Sequence, residues 1–516
     1  MCGIAGFCNF KENFEENTDY WNFRLEKMRA VLAHRGNDAR GRFLKKHIGL
    51  SHSRLAIRDI LCGDQPMTRT HNGYDYTICY NGEIYNTDEL IPELSENGFV
   101  CSTTSDTEVI LYAYIHWGAD FVSRLNGIFA FAIWDAAKNR LLLYRDRVGV
   151  KPLFYAIRGD SLVFGSEPKA CFAHPAVKPE LDKQGLQELL AIGPAHTSGL
   201  SLFKDLFEVL PGHFMIYSRD GLHDETYWEL TSREHTESYR DTVAHTRFLV
   251  EDAIKRQMVS DVPVCTFLSG GIDSSIVTAI AANYMNTRGK TLNTFSFDFK
   301  DNDRYFKANA FQPERDLPYV NRMLEEYETS HSYLECDENS LFKALFAAVD
   351  AKDMPGMTDV DSSLLYFCSL VSRKNKVALT GECADEIFGG YPWFYRKELL
   401  ERYGFPWSSD VAVRLALLRD DVISELDLSG YQAFRYEESR SKAPLLYGEA
   451  GEDESRRIIG YLNIKWFMQT LLDRMDRTSM YSELEARVPF ADHRIIEYVF
   501  NVPWHMKYQN GVEKTL

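Results

Sequence analysis

The chain of 516 residues has no long apolar run, no paired cysteines and no excess of basic charge. The apolar stretch Ile128 to Trp134 is far shorter than the roughly 20 residues a membrane helix needs, so no spanning segment is expected. No signal peptide precedes Cys2, which argues against secretion. The 10 cysteines are scattered singly, with no Cys-x-x-Cys pair and no His/Cys cluster at zinc spacing, and read as reduced thiols. With 75 acidic against 58 basic residues and a net charge of −17, the chain lacks the basic surface that phosphate backbones require. Nucleic acid is thereby excluded as a main partner. Internal repeats and low-complexity tracts are absent too. These absences leave a cytoplasmic protein acting on small molecules, with oligomeric state open and a homodimer among the options.

The length exceeds one ordinary core, so two domains are expected. Up to about Trp228, strand-like runs dominate: Ile4 to Phe7, Tyr76 to Tyr80, Ile128 to Trp134, Leu141 to Tyr144, Leu153 to Ala156 and Phe214 to Tyr217. Asn72-Gly73, Asn81-Gly82, Arg158-Gly159-Asp160 and Pro211-Gly212 punctuate them as breaker signals. Residues 229–241 are polar and read as a linker, followed by an amphipathic helix near Ala244 to Val259. Beyond it, strands at Val264 to Leu268, Leu292 to Phe297 and Val377 to Leu379 alternate with helical stretches, the pattern of a parallel α/β sheet. From Tyr395 the chain reads as mostly helical.

Cys2 is the most informative residue. Removal of Met1 would leave a thiol and a free α-amine on one residue, a nucleophile with its own base and no need of a catalytic histidine. A cysteine after the initiator can also arise by chance. The small neighbours Gly3, Ala5 and Gly6 shift the balance, because they let backbone approach a substrate closely.

In the second half, Ser269, Gly270, Gly271, Ile272, Asp273, Ser274 and Ser275 follow a strand and open a helix. Such a junction offers backbone N–H groups, hydroxyls and a helix dipole to an anion. Gly-Gly alone can equally make only a turn. The loop lacks the Gly-Lys-Ser/Thr ending of a Walker motif, which favours a diphosphate over γ-phosphate transfer. After the strand Val377 to Leu379 come Thr380, Gly381, Glu382, Cys383, Ala384, Asp385 and Glu386. Strand ends of an open parallel sheet are where ligands bind, so both loops are expected in one cleft, with Asp273 and Asp385 sharing Mg²⁺. Glu382 is a candidate proton acceptor. Glu386 reads as a solvated loop charge or helix cap.

Met1-Cys2-Gly3-Ile4-Ala5-Gly6, Tyr80-Asn81-Gly82-Glu83-Ile84-Tyr85-Asn86, Ser105-Asp106-Thr107-Glu108, the Ser269 loop and Gly381-Glu382-Cys383-Ala384-Asp385-Glu386 together resemble the glutamine-dependent asparagine synthetases. The resemblance implies an α/β and α+β two-domain protein. An N-terminal nucleophile hydrolase with an αββα sandwich, residues 2–228, would precede an ATP-pyrophosphatase-type α/β parallel-sheet domain with a helical C-terminal part, residues 242–516. It implies Cys2 as nucleophile, Asn81 and Gly82 as oxyanion-hole donors, and Arg54, Glu83 and Asp106 as residues that hold glutamine. These three would otherwise pass as surface charges. For ATP it implies Leu268, Ser269, Gly270, Gly271, Asp273, Ser274, Phe297, Thr380 and Gly381, with Asp273 and Asp385 on Mg²⁺ and Glu382 taking a proton from ammonia. Glutamine, aspartate and ATP would be the substrates. Ammonia made at Cys2 would cross to an acyl adenylate by an interior, mostly apolar conduit. His34 reads as structural, and Asn37 stands where the family usually has proline.

Two departures qualify the expectation. The stretch Asp353 to Ser363, where the family builds part of its acceptor pocket, is unusual in detail. The segment Asn510 to Leu516 resembles one after which the family continues through another helix and a lysine-bearing loop over the phosphates, so the chain reads as truncated, ending just inside a helix. Alternatives are a related ATP-dependent amide ligase for another carboxylate, including internal closure as in β-lactam synthetases, or a regulatory binding protein with one degenerate site.

Overall fold

The computed structural model describes residues 2–308, 314–408 and 411–516; Met1, whose removal the reading of Cys2 requires, lies outside them. Two six-stranded antiparallel sheets fill the first half. One places Gly3–Asn9 between Ser161–Gly165 and Ile48–Arg54; the other sets Tyr74–Ile84, Gly127–Asp135 and Arg140–Arg145 side by side. Their side chains alternate as strand geometry demands. Ile4 and Cys8 join Cys79, Ala132 and Leu143 in the layer between the sheets. Ala5 and Phe7 point the other way, to Trp21, Leu25 and Met28 of the helix Thr18–Ala30. On the second sheet Phe129 and Phe131 pack outward onto Ile110 and Tyr114 of the helix Asp106–Trp117. The result is the expected αββα sandwich.

Asn72 and Gly73 both have positive φ, 50° and 80°, and join Met67–His71 to Tyr74–Ile84 as the hairpin their sequence predicts. Asn81-Gly82 departs from expectation: it is no turn but lies inside the strand Tyr74–Ile84, opposite Ala130 and Phe129. Glycine is needed at 82 for space, since a Cβ there would stand 2.2 Å from the Ile128 carbonyl oxygen. The strand Ile48–Arg54 was not foreseen, because Ser51, His52, Ser53 and Arg54 read as polar yet are buried.

A five-stranded sheet, all parallel, organises the second half in the order Thr329–Cys336, Leu292–Phe299, Val264–Phe267, Val377–Leu379, Glu485–Arg487. The last strand escapes a hydropathy reading. Glu485 and Arg487 are fully buried there and offset each other's desolvation as an ion pair. The long helix runs Tyr239–Arg256, earlier than its apolar pattern suggests, because Ser238 Oγ accepts from the Asp241 N–H and caps it. Residues 227–238 have no regular secondary structure. They are nevertheless docked: Leu230 is buried, and the Arg233 N–H donates to Asn501 Oδ1 at 2.7 Å.

One hydrophobic core joins the halves, running through Leu55, Ile57 and Val150 of the first and Val250, Leu379 and Phe490 of the second. From Lys397 onward helices dominate the described residues. The end of the chain differs from expectation: Tyr508–Gln509 pairs with Val512–Glu513 as a short hairpin in place of a helix. All ten cysteines are free, and no helix among the described residues is long and apolar enough to cross a membrane.

Candidate functional site

Cys2 immediately precedes the central strand of the first sheet and is 7% exposed. Its backbone N–H donates to Asn81 Oδ1 at 2.9 Å, which sets the second sheet's strand against the first residue of the first sheet. Burial pushes the Cys2 thiol up, against the pull of Arg54 and a hydrogen bond from the Leu55 backbone. The other end of the Asn81 amide, Nδ2, is buried with no hydrogen-bond partner. An orphan donor in a buried site beside a thiol is what a developing oxyanion needs.

Arg54, Glu83 and Asp106 are not the surface charges their letters suggest; each is at most 5% exposed. Asp106 Oδ2 accepts from Tyr80 Oη at 2.9 Å and from the Ile84 N–H at 3.0 Å. Glu83 leaves Oε2 buried without a partner, and burial followed by the Asp106 charge raises its pKa well above the usual carboxyl range, while Arg487 opposes. An incoming cation would relieve both conditions. Arg54 donates to the carbonyl oxygens of Asp59 and Ile60 at 2.6 and 3.1 Å, and to Asp64 at 2.9 Å. Asp64 is the side-chain partner among these and 75% of its side chain is open, so a ligand carboxylate has a place to displace it.

In the second half the two loops do meet. A Cβ on Gly381 would stand 2.7 Å from the Ser274 nitrogen and 3.0 Å from Asp273 Cβ, so the Thr380 loop lies directly on the loop that opens the helix Ile272–Asn286. Ser274 Oγ lies 3.0 Å from Ser269 Oγ and donates to the Gly271 carbonyl at 3.1 Å, tying the turn. Gly270 has φ 84°, where other residues are strained, and also lacks room, with the Asp316 carbonyl 2.8 Å from its ideal Cβ. Leu268 exchanges backbone contacts with the neighbouring strand, its N–H donating to the Phe295 oxygen at 2.9 Å. Phe297 packs against Phe367 with the rings tilted at 53°, centroids 5.3 Å apart. The Thr380 N–H donates to the Arg487 oxygen at 3.0 Å, and Thr380 Oγ1 accepts from the Glu382 N–H at 3.4 Å.

Asp273 and Asp385 converge on one cation, the ammonium of Lys514, at 2.6 and 2.7 Å. Burial is the largest influence on Asp273 and carries its pKa to about 6, with Lys514 pulling down and Asp385 pushing up. Among the described residues no group of three or more metal-ligating side chains gathers. Two carboxylates already closing on a positive charge are the donor set that Mg²⁺ takes when phosphates and water complete it.

Glu382 Oε1 accepts from Arg474 Nη2 at 2.8 Å. Glu386 is neither solvated nor a cap. It is 2% exposed, burial drives its pKa to about 8, and Tyr391 Oη donates to it. It also borders a cavity of ≈ 560 Å³ that Arg457 and Trp504 line with it. In the Asp353 to Ser363 stretch, Asp353 is held by Arg477 at 2.9 Å and receives the Lys169 N–H at 3.3 Å, so it faces the first half. His34 Nε2 lies 3.0 Å from a Glu167 carboxylate oxygen. Reading by motif missed Lys514, Arg474, Asp476 and Arg487. Their signal was present in the charged letters of a stretch that otherwise reads as helix, but only burial separates such letters from surface charge.

Residues 1–228 match the family model of the glutamine amidotransferase domain, and residues 245–516 that of asparagine synthase. The chain is 48% identical over 515 residues to asparagine synthetase [glutamine-hydrolyzing] 3 of Bacillus subtilis, covering 100% of this chain and 83% of that protein. It is 30% identical to asparagine synthetase [glutamine-hydrolyzing] 1 of the same organism, again over 100% of this chain and 83% of that one. Amidase chyE of Penicillium rubens is 29% identical, covering 98% and 83%. Among solved structures, glutamine phosphoribosylpyrophosphate amidotransferase from B. subtilis overlaps 65% of this chain and 81% of its own at 16% identity, with a TM-score of 0.34.

Proposed function

The chain belongs to the asparagine synthase family, in its glutamine-hydrolysing form, and from that premise we propose how its residues divide the work. It is an ATP-dependent ligase that makes asparagine from aspartate with glutamine as nitrogen donor. Ligation of another carboxylate and a purely regulatory role are not favoured, given 48% identity across the whole chain. Residues 2–228 carry glutamine hydrolysis and 242–516 the synthetase chemistry, with 229–241 between them. Ten free cysteines suit a cytoplasmic setting.

With Met1 removed, the Cys2 nitrogen that now donates to Asn81 becomes the α-amine and takes the thiol proton. A base is needed, because burial holds the thiol protonated. The thiolate adds to the side-chain carbonyl of glutamine, and Asn81 Nδ2 with the Gly82 N–H receives the charge on its oxygen. Collapse breaks the C–N bond, the amine returns a proton to the departing ammonia, and water then hydrolyses the glutamyl thioester to glutamate. Arg54 takes the substrate's α-carboxylate in place of Asp64, while Glu83 and Asp106 take its α-ammonium.

Across the shared core, the aspartate β-carboxylate displaces pyrophosphate from ATP and forms an acyl adenylate. Leu268, Phe297, Thr380 and Gly381 flank the nucleoside, and Ser269, Gly270, Gly271 and Ser274 cradle the pyrophosphate. Asp273 and Asp385 would hold Mg²⁺, which neutralises phosphate charge when bound. Lys514 supplies a second cation. Ammonia attacks the acyl carbon, Glu382 accepts a proton from the new C–N centre, and AMP leaves.

The observation that carries this reading is the joining of a Cys2–Asn81 site and an Asp273–Lys514–Asp385 site by one apolar core. Product analysis with ATP, Mg²⁺ and either glutamine or ammonia tests it. Aspartate-dependent asparagine with one AMP and one pyrophosphate per turnover is expected; turnover without aspartate would reject the acceptor.

A further inference from the structure

The helix Met468–Met480 stands between the two sites and touches both. Asp476, 2% exposed, receives Arg35 Nη2 at 2.8 Å on one oxygen and Lys151 Nζ at 3.1 Å on the other. Both partners belong to the first half of the chain and are fully buried. Arg35 in turn donates through Nε to the Cys2 carbonyl oxygen at 3.1 Å and through Nη1 to Glu167 at 2.8 Å. The path from the synthetase half to the backbone of the nucleophile is therefore two hydrogen bonds long.

Two residues earlier, Arg474 Nη2 donates to Glu382 at 2.8 Å. Residues two apart on a helix point about 200° from one another, so Arg474 and Asp476 serve opposite faces. Arg477, also buried, ties the same helix to its neighbours, donating to the Ala351 oxygen at 3.0 Å and to Asp353 at 2.9 Å. Arg474 Nε is buried without a partner, so the Glu382 side of this arm keeps a donor free for a ligand.

Resting on the functional reading above, we propose that Asp476 and Arg474 are positioning residues for the two half-reactions: Asp476 holds Cys2 through Arg35, and Arg474 holds Glu382, on one rigid helix. The first half then has a complete glutaminase site only when this helix of the second half is seated against it.

Asp476→Asn and Arg474→Gln in the full chain test the assignment. Asp476→Asn is expected to lower kcat for glutamine hydrolysis at least tenfold, and to slow alkylation of Cys2 by an electrophilic glutamine analogue to match, while ammonia-dependent synthesis stays within twofold. Arg474→Gln should do the reverse: amide formation falls at least tenfold, whereas aspartate-dependent ATP–pyrophosphate exchange and glutamine hydrolysis stay within twofold. Should Asp476→Asn fail to fold, Asp476→Glu keeps the charge on Arg35 and Lys151 but displaces the carboxylate, and is read the same way. Unchanged glutamine hydrolysis, or equal loss of both activities, in a folded Asp476 variant overturns the proposal. Failure of the functional reading would look different, because the unsubstituted chain would then make no asparagine from either nitrogen source.

Discussion

Lys514 donates to Asp273 at 2.6 Å, joining the last residues of the chain to the first turn of the helix Ile272–Asn286 across 241 positions of sequence. Asp273 stands out in the sequence by its loop, whereas Lys514 does not. In the proposed synthetase site they would set a cation and an anion beside the departing pyrophosphate.

Lys514→Met should lower pyrophosphate release about 10²-fold with either nitrogen source, the usual cost of removing one pre-oriented charge from a site of developing negative charge. Glutamine hydrolysis should be untouched. Measuring glutamate and pyrophosphate in the same reaction separates the two, and equal loss of both would remove Lys514 from the phosphate site.

Asn81→Ala removes both the acceptor of the Cys2 N–H and the orphan Nδ2 donor. Glutamine hydrolysis is expected to fall about 10²–10³-fold, with ammonia-dependent synthesis retained. Cys2→Ala should abolish the glutamine-dependent reaction while also sparing the ammonia-dependent one. Steady-state assays with each nitrogen donor check both variants.

Glu382→Gln keeps the Arg474 contact but cannot accept a proton. Aspartate-dependent exchange of pyrophosphate into ATP should persist, while asparagine formation drops about 10²–10⁴-fold. Loss of exchange instead would show that Glu382 acts before the amide step.

Chelation of divalent cations should stop pyrophosphate release and leave glutamine hydrolysis intact, because Asp273 and Asp385, the residues proposed to hold the metal, belong to the synthetase half. Asp273→Ala should reproduce that pattern at saturating Mg²⁺. Pyrophosphate release by that variant at the unsubstituted rate would remove Asp273 from the cation site.

Glu386 makes a prediction about stability. Its pKa is about 8 in the folded chain against an ordinary 4.5, so the unfolded state ionises first and gains as pH rises between those values. Glu386→Gln removes that penalty. The variant's melting temperature relative to the parent should therefore climb from pH 4.5 to 8 and level off above, for a gain of a few kcal/mol at most, at about 1.4 kcal/mol per pH unit. Thermal scans at pH 5, 7 and 9 measure it, and a flat difference would mean that Glu386 is hydrated.

Wherever the chemistry is local, it was legible in the letters. Cys2 at the start of an apolar strand, glycines with serines between a strand and a helix, and Asn72-Gly73 as a hairpin turn each follow from backbone reach, dihedral freedom and hydrogen-bonding inventory over a few residues. Asn81-Gly82 shows the limit of that reasoning. The same pair that makes a turn elsewhere lies flat in a strand here, because the Ile128 carbonyl crowds position 82 from a neighbouring strand.

Sequence alone thus determined that the chain carries two kinds of domain and which side chains are candidates for their chemistry. Tertiary structure decided which charges are surface and which are site. Arg35, Asp476 and Arg487 have the same letters as dozens of solvated residues, and only burial distinguishes them. The physical reason is that a buried charge must find its partner through the fold, from Arg35 to Asp476 or from Asp273 to Lys514, and pairings over hundreds of residues leave no local pattern to read.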